Sequence, residues 1–226
     1  MLFQTETTVT RQVAKKRVVV RAFAGEQARH VLASAKFVRG SEIFGFTKGQ
    51  FSFVDLIEGV LSFTGPADIV VSTWAASVAD LGRLTLFYDD GMISRASFLL
   101  DGAFESCNKA AALGLREKFG DDNIRVMPNH AKFALISNDD WHVVIQTSMN
   151  LNQNKRMESF TIIDDAELFD VFSGLVSEIW KIQKPGSGFG AGGWRTSSNT
   201  LGKLGEGRTG QFFNVVPGSI LLEKVG

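Results

Sequence analysis

Apolar residues recur along the chain with two different periods, and the alternation between those periods predicts an α/β protein. Residues 42–46 and 68–73 read as short buried strands. Between them, residues 51–63 place Val54, Leu56, Ile57, Val60 and Leu61 on one broad helical face, which Thr64-Gly65-Pro66 ends. These three segments make a β-α-β unit. A second helix is expected over 76–87, a strand over 96–100, and a third helix over 102–119 with Gly120 as its C-terminal stop; a strand follows at 124–127. From Pro128 the pattern turns antiparallel: residues 130–137, a turn at Asn138-Asp139-Asp140, then 141–147, together a hairpin. Residues 158–163 read as one more strand. Residues 166–182 form a closing amphipathic helix with Leu168, Val171, Phe172, Leu175 and Ile179 turned inward. The expected fold is a mixed central β-sheet flanked by helices.

Punctuation divides the chain into a basic N-terminal arm (1–17), an α/β domain (18–183) and a Gly-rich linker and tail (184–226). Of the 23 Gly, 11 fall in that last segment, so it reads as a flexible linker ahead of a short apolar stretch. With 226 residues, 44% hydrophobic positions and 19 Phe, the chain has the means for a packed core, which excludes disordered and collagen-like classes. A single cysteine, Cys107, excludes an internal disulfide and a cysteine-built metal site and fits a reducing compartment. Its place near Phe104 and Ala111 reads as inert packing. The N-terminus lacks a basic stretch followed by an apolar run, and no window approaches the roughly 18 apolar residues of a membrane span. A soluble, cytoplasmic protein is expected.

Net charge is zero, yet its distribution is uneven. Residues 1–40 carry 8 Lys/Arg against 2 Asp/Glu, residues 41–183 carry 11 against 20, and residues 184–226 carry 5 against 2. Basic ends around an acidic body can hold polyanions through counterion release. Lys15-Lys16-Arg17 and Arg21 serve equally well to solubilise an edge strand.

The densest polar constellation lies on the expected hairpin: His130-Ala131-Lys132, then Thr147-Ser148-Met149-Asn150, then Asn154 and Glu158. If residues 130–137 are a strand, His130 and Lys132 share one face, and the hairpin brings Ser148 and Asn150 alongside. An imidazole, an ammonium, a hydroxyl and an amide on one face suit phosphoryl transfer, because the imidazole can attack phosphorus while the others neutralise its oxygens. No metal and no cofactor is needed.

His130-x-Lys132 followed by Ser148-x-Asn150, with Glu158 in the next strand, resembles the phospholipase D superfamily signature HxKxxxxD and GSxN. The order of elements agrees over about residues 40–183, so a phospholipase D-like fold is implied. Ser137 stands where the motif has Asp, Thr147 where it has Gly, and the gap before Ser148 is three residues longer. The resemblance implies a phosphodiesterase working through a phosphohistidine, with His130 as nucleophile or general acid and Lys132, Ser148 and Asn150 on the phosphate. Glu158 takes the missing carboxylate's part in orienting His130. The family builds each site from two such motifs, whereas here His30 precedes Val31-Leu32 and His142 precedes Val143-Val144. An active enzyme would be a homodimer that pools two copies of His130, one neutral and one protonated, which gives a bell-shaped pH profile.

Nucleic acid is the preferred substrate and a phospholipid the lesser one. The competing class is a catalytically degenerate dimer that holds DNA or RNA without cutting it. Gly188-Phe189-Gly190-Ala191-Gly192-Gly193 matches GxGxxG in letters but follows a helix instead of a strand, so it reads as linker. Trp74, Trp141 and Trp180 read as core, while Phe189 and Trp194 are harder to bury and could stack on bases.

Overall fold

The computed structural model describes residues 18–21, 28–153, 155–186, 188–189, 203–204, 211–216 and 219–224. In chain order the elements are β1 (Val18–Arg21), α1 (Ala28–Ser34), β2 (Glu42–Thr47), α2 (Phe53–Thr64), β3 (Ala67–Thr73), α3 (Val78–Asp89), β4 (Ile93–Asp101), α4 (Phe104–Cys107) and α5 (Lys109–Phe119). They continue with β5 (Ile124–Met127), β6 (Phe133–Ser137), β7 (His142–Thr147), β8 (Glu158–Asp164), α6 (Ala166–Ile182), β9 (Gln211–Val216) and β10 (Ser219–Lys224). Local chemistry sets the ends. Ser52 caps α2 by accepting from the Asp55 N–H while Asp55 accepts from the Ser52 N–H, and Gly65 ends the helix at φ +73°.

Eight strands form one mixed sheet in the order β1-β2-β8-β7-β6-β3-β4-β5. The pairs β1–β2, β3–β4 and β4–β5 are parallel, and β6, β7 and β8 form an antiparallel meander between them. The expected β-α-β unit is therefore opened out: β2 and β3 run the same way, but three strands separate them. Periodicity reports which face of a strand is buried and is blind to which strand lies beside it. Helices α1, α2, α3 and α5 share one core with one face of the sheet, and α6 builds the other core on Leu99, Met127, Phe133, Leu135 and Val144.

Several sequence expectations are corrected here. The helix expected over 102–119 breaks at Asn108, whose side chain caps α5 by accepting from the Ala111 N–H at 3.1 Å. Cys107, at the end of α4, is exposed and not packed. On α6 the buried residues are Val176 and Ile179, with Leu168, Phe169, Phe172 and Trp180 packed beside them, while Leu175 is 43% exposed. Trp74, Trp141 and Trp180 are half-buried: Trp141 packs against the larger core, stacking on Phe37 at 5.2 Å, and Trp180 against the smaller, under the Arg125 guanidinium at 4.8 Å, while Trp74 joins neither. Phe189 packs against the larger core with the Arg116 guanidinium 5.1 Å from its ring. The Lys15-Lys16-Arg17 run, Asn154, Trp194 and most of the Gly-rich tail lie outside the described residues, though 211–224 includes the antiparallel pair β9–β10.

Candidate active site

Parallel β3, β4 and β5 end at one edge of the sheet, and the alternating meander brings the start of β6, the end of β7 and the start of β8 to that same edge. Every residue of the HxK…SxN pattern falls there, outside the carboxyl ends of the parallel strands, where ligands of α/β sheets bind. His130 and Lys132 do not stand in a strand as expected. They lie in the stretch between Pro128 and β6, which begins at Phe133, because the backbone N–H and carbonyl of Ala131 are taken by side chains and not by a neighbouring strand.

The two side chains nevertheless meet. Lys132 Nζ lies 3.0 Å from His130 Nδ1 and 3.2 Å from Nε2, and donates to the His130 carbonyl at 2.9 Å. His130 is exposed and Lys132 half-buried. Burial pushes the Lys132 ammonium below the ordinary lysine range, and the nearby charges of Glu158 and Asp101 pull it back up. The ammonium therefore stands as a partly desolvated cation beside an accessible imidazole.

Ser148 follows β7 directly. Its N–H donates to the Ser159 carbonyl at 3.1 Å, its hydroxyl accepts from the Ser159 N–H at 3.0 Å, and the hydroxyl hydrogen goes to a Glu158 carboxylate oxygen. Glu158 thus holds Ser148, and the Lys132 ammonium lies against the ring nitrogens of His130. Asn150 is half-buried on the same loop, with its Oδ1 buried and without a hydrogen-bond partner among the described residues. Leu151 anchors that loop: its N–H donates to the Ala75 carbonyl at 3.1 Å, and its carbonyl accepts from the Ser77 N–H at 2.7 Å.

Ser137 sits at the opposite end of β6, paired with His142 and Asp68. Five residues at about 3.3 Å each put it roughly 16 Å from Lys132 along the strand, so a carboxylate there would not reach His130 of its own chain. Two neighbours escaped the sequence reading. Trp74, just after β3, has its ring centroid 6.3 Å from that of His130, and Asp101 is buried at the end of β4. A polar or bulky residue closing an apolar strand run was the available signal. Among the described residues no group of three His, Cys, Asp or Glu is placed to hold a metal ion, and no helix is long and apolar enough to cross a membrane.

No family model and no curated protein matches the sequence. Solved structures do. NucT from Helicobacter pylori is 15% identical with a TM-score of 0.47, over 64% of this chain and 99% of that one. Nuc from Salmonella typhimurium, a phospholipase D family member, is 14% identical with a TM-score of 0.48, over 65% of this chain and 98% of that one. A phosphatidylserine synthase from Haemophilus influenzae is 14% identical with a TM-score of 0.45, over 64% of this chain and 39% of that one. Phospholipase D family members are thus among the solved structures to which this chain is similar.

Proposed function

We propose that the chain is a metal-independent phosphodiesterase that cleaves DNA or RNA through a phosphohistidine in a site shared by two copies. The observation that carries this reading is the contact between an exposed His130 and a partly desolvated Lys132, beside the Ser148–Glu158 pair. A neutral His130 attacks phosphorus as the bond to the leaving oxygen breaks, and the protonated imidazole of the partner's His130 gives that oxygen its proton. Water then attacks the phosphohistidine, passes a proton to the partner's His130, and frees the first imidazole. Lys132 neutralises the non-bridging oxygens and the Asn150 amide donates to them, while the Ser148 hydroxyl turns its one proton from Glu158 to the phosphate when substrate binds. Trp74, half-buried next to His130, supplies an aromatic face that suits a nucleobase better than an acyl chain.

The test is cleavage of single- and double-stranded DNA and RNA in excess EDTA, comparing wild type with His130→Ala at matched concentration. Cutting by wild type alone is expected. If both proteins bind and neither cuts, the chain is a binding module; release of a head group from phospholipid vesicles with polynucleotides untouched would move the substrate to lipid.

A further inference from the structure

Outside the ladder, the His130–Lys132 stretch needs some other means of holding its shape, and three buried side chains from separate elements supply it. Ala131, between the two, has both backbone groups held by side chains: its N–H donates to Asn129 Oδ1 at 3.0 Å, and its carbonyl accepts from the Ser72 hydroxyl at 2.9 Å. The Asn129 amide nitrogen donates to Ser72 Oγ at 2.9 Å and to the Leu99 carbonyl at 3.2 Å. Asp101 completes the frame by accepting from the Asn129 N–H at 2.9 Å and the Ala103 N–H at 2.8 Å. Relative exposures are 0% for Ser72, 9% for Asn129 and 5% for Asp101.

Every strong donor on these side chains is used inside the network. Ser72 spends its one proton on Ala131, and Asn129 spends both amide protons and an oxygen lone pair. Buried polar groups cost free energy unless fully paired, so a network this complete fixes one geometry and penalises its neighbours. What it fixes is the peptide unit from which His130 leaves on one side and Lys132 on the other.

We propose that Ser72 and Asn129 are positioning residues: through the backbone of Ala131 they set where the His130 imidazole and the Lys132 ammonium stand relative to the phosphorus. The proposal rests on the phosphodiesterase reading for its kinetic consequence but not for its structural one. Misplacing a reacting group by about 1 Å can cost on the order of a hundredfold in rate while leaving most of binding intact.

The experiment compares Ser72→Thr with Ser72→Val, which are alike in shape and differ in the hydroxyl. Ser72→Val is expected to lose about tenfold or more in kcat relative to Ser72→Thr, with KM little changed, both measured well below their melting temperatures. Equal kcat in two folded variants overturns the proposal. A second arm needs no turnover: the His130 ring signals in 1H–15N spectra are expected to move in Ser72→Ala and in Asn129→Leu, while those of His30 and His142 stay in place. His130 signals that coincide with wild type in either folded variant overturn the proposal. Wild type that never cuts in EDTA sinks the phosphodiesterase reading alone and leaves the spectra to decide the positioning role.

Discussion

Lys132 is held between opposing influences, since burial disfavours its charge and Glu158 and Asp101 favour it. Folding therefore penalises the ammonium: native chains release this proton before unfolded ones do, and the group's contribution to stability improves as pH climbs toward about 10.4, the unperturbed lysine value. Function has the opposite sign, because only the ammonium neutralises phosphate oxygens. Glu158→Gln removes one of the two supports, so the Lys132 ammonium is expected to titrate at lower pH than in wild type when followed by its side-chain NMR signals; a midpoint that stays or moves upward contradicts the electrostatic role. A packing prediction sits at Gly45, opposite Phe160 in the β2–β8 pair, where the ring lies across the position a β-carbon would take. Gly45→Ala is expected to cost about 1–3 kcal/mol in urea unfolding. At this scale, the part of the candidate site written as a spacing was legible. His130, Lys132 and Ser148 could be read from their order, whereas the Ser72–Asn129 clamp joins residues 57 apart and exists only where strand ends converge.

Elements were legible in kind and less so in orientation. The α6 helix spans 166–182 as its periodicity predicts, and its packed stripe keeps Leu168, Phe172 and Ile179 of the expected set, but adds Phe169 and Val176 where 171 and 175 were expected. Both sets satisfy a helical repeat because apolar residues surround much of this helix, and the sheet chooses between them. Ile179→Ala is accordingly expected to cost about 2–5 kcal/mol, while Leu175→Ala stays within about 0.5 kcal/mol, as read from urea midpoints at constant slope. The break between α4 and α5 has a similar cause. Asn108 competes for backbone groups, and its amide also donates to the Ala76 carbonyl at 3.3 Å, tying the break to the segment that leads into α3.

For the whole molecule, the proposed reaction uses two imidazoles where the HxK stretch of each chain supplies one, so the proposal makes a pair of chains the active species. Turnover per chain is expected to fall on dilution, and re-assorting wild type with an equal amount of His130→Ala should leave about half the turnover per wild-type chain. Turnover that tracks the amount of wild type alone would exclude a shared site. The strand order also carries a consequence for how the chain assembles. By the time Met127 has been made, all the residues of the pair β1–β2 and the trio β3–β4–β5 have been synthesised, but the strands that lie between β2 and β3 in the finished sheet have not. The 37 residues from Pro128 to Asp164 supply the missing wedge, and at about 5–20 residues per second they take a few seconds to leave the ribosome. During that interval β2 lacks β8 and β3 lacks β6, which leaves both open to any extended segment. The meander that carries His130, Lys132 and Ser148 is thus also the last piece of the sheet, so the same stretch that arms the site is what makes a nascent chain safe from its neighbours.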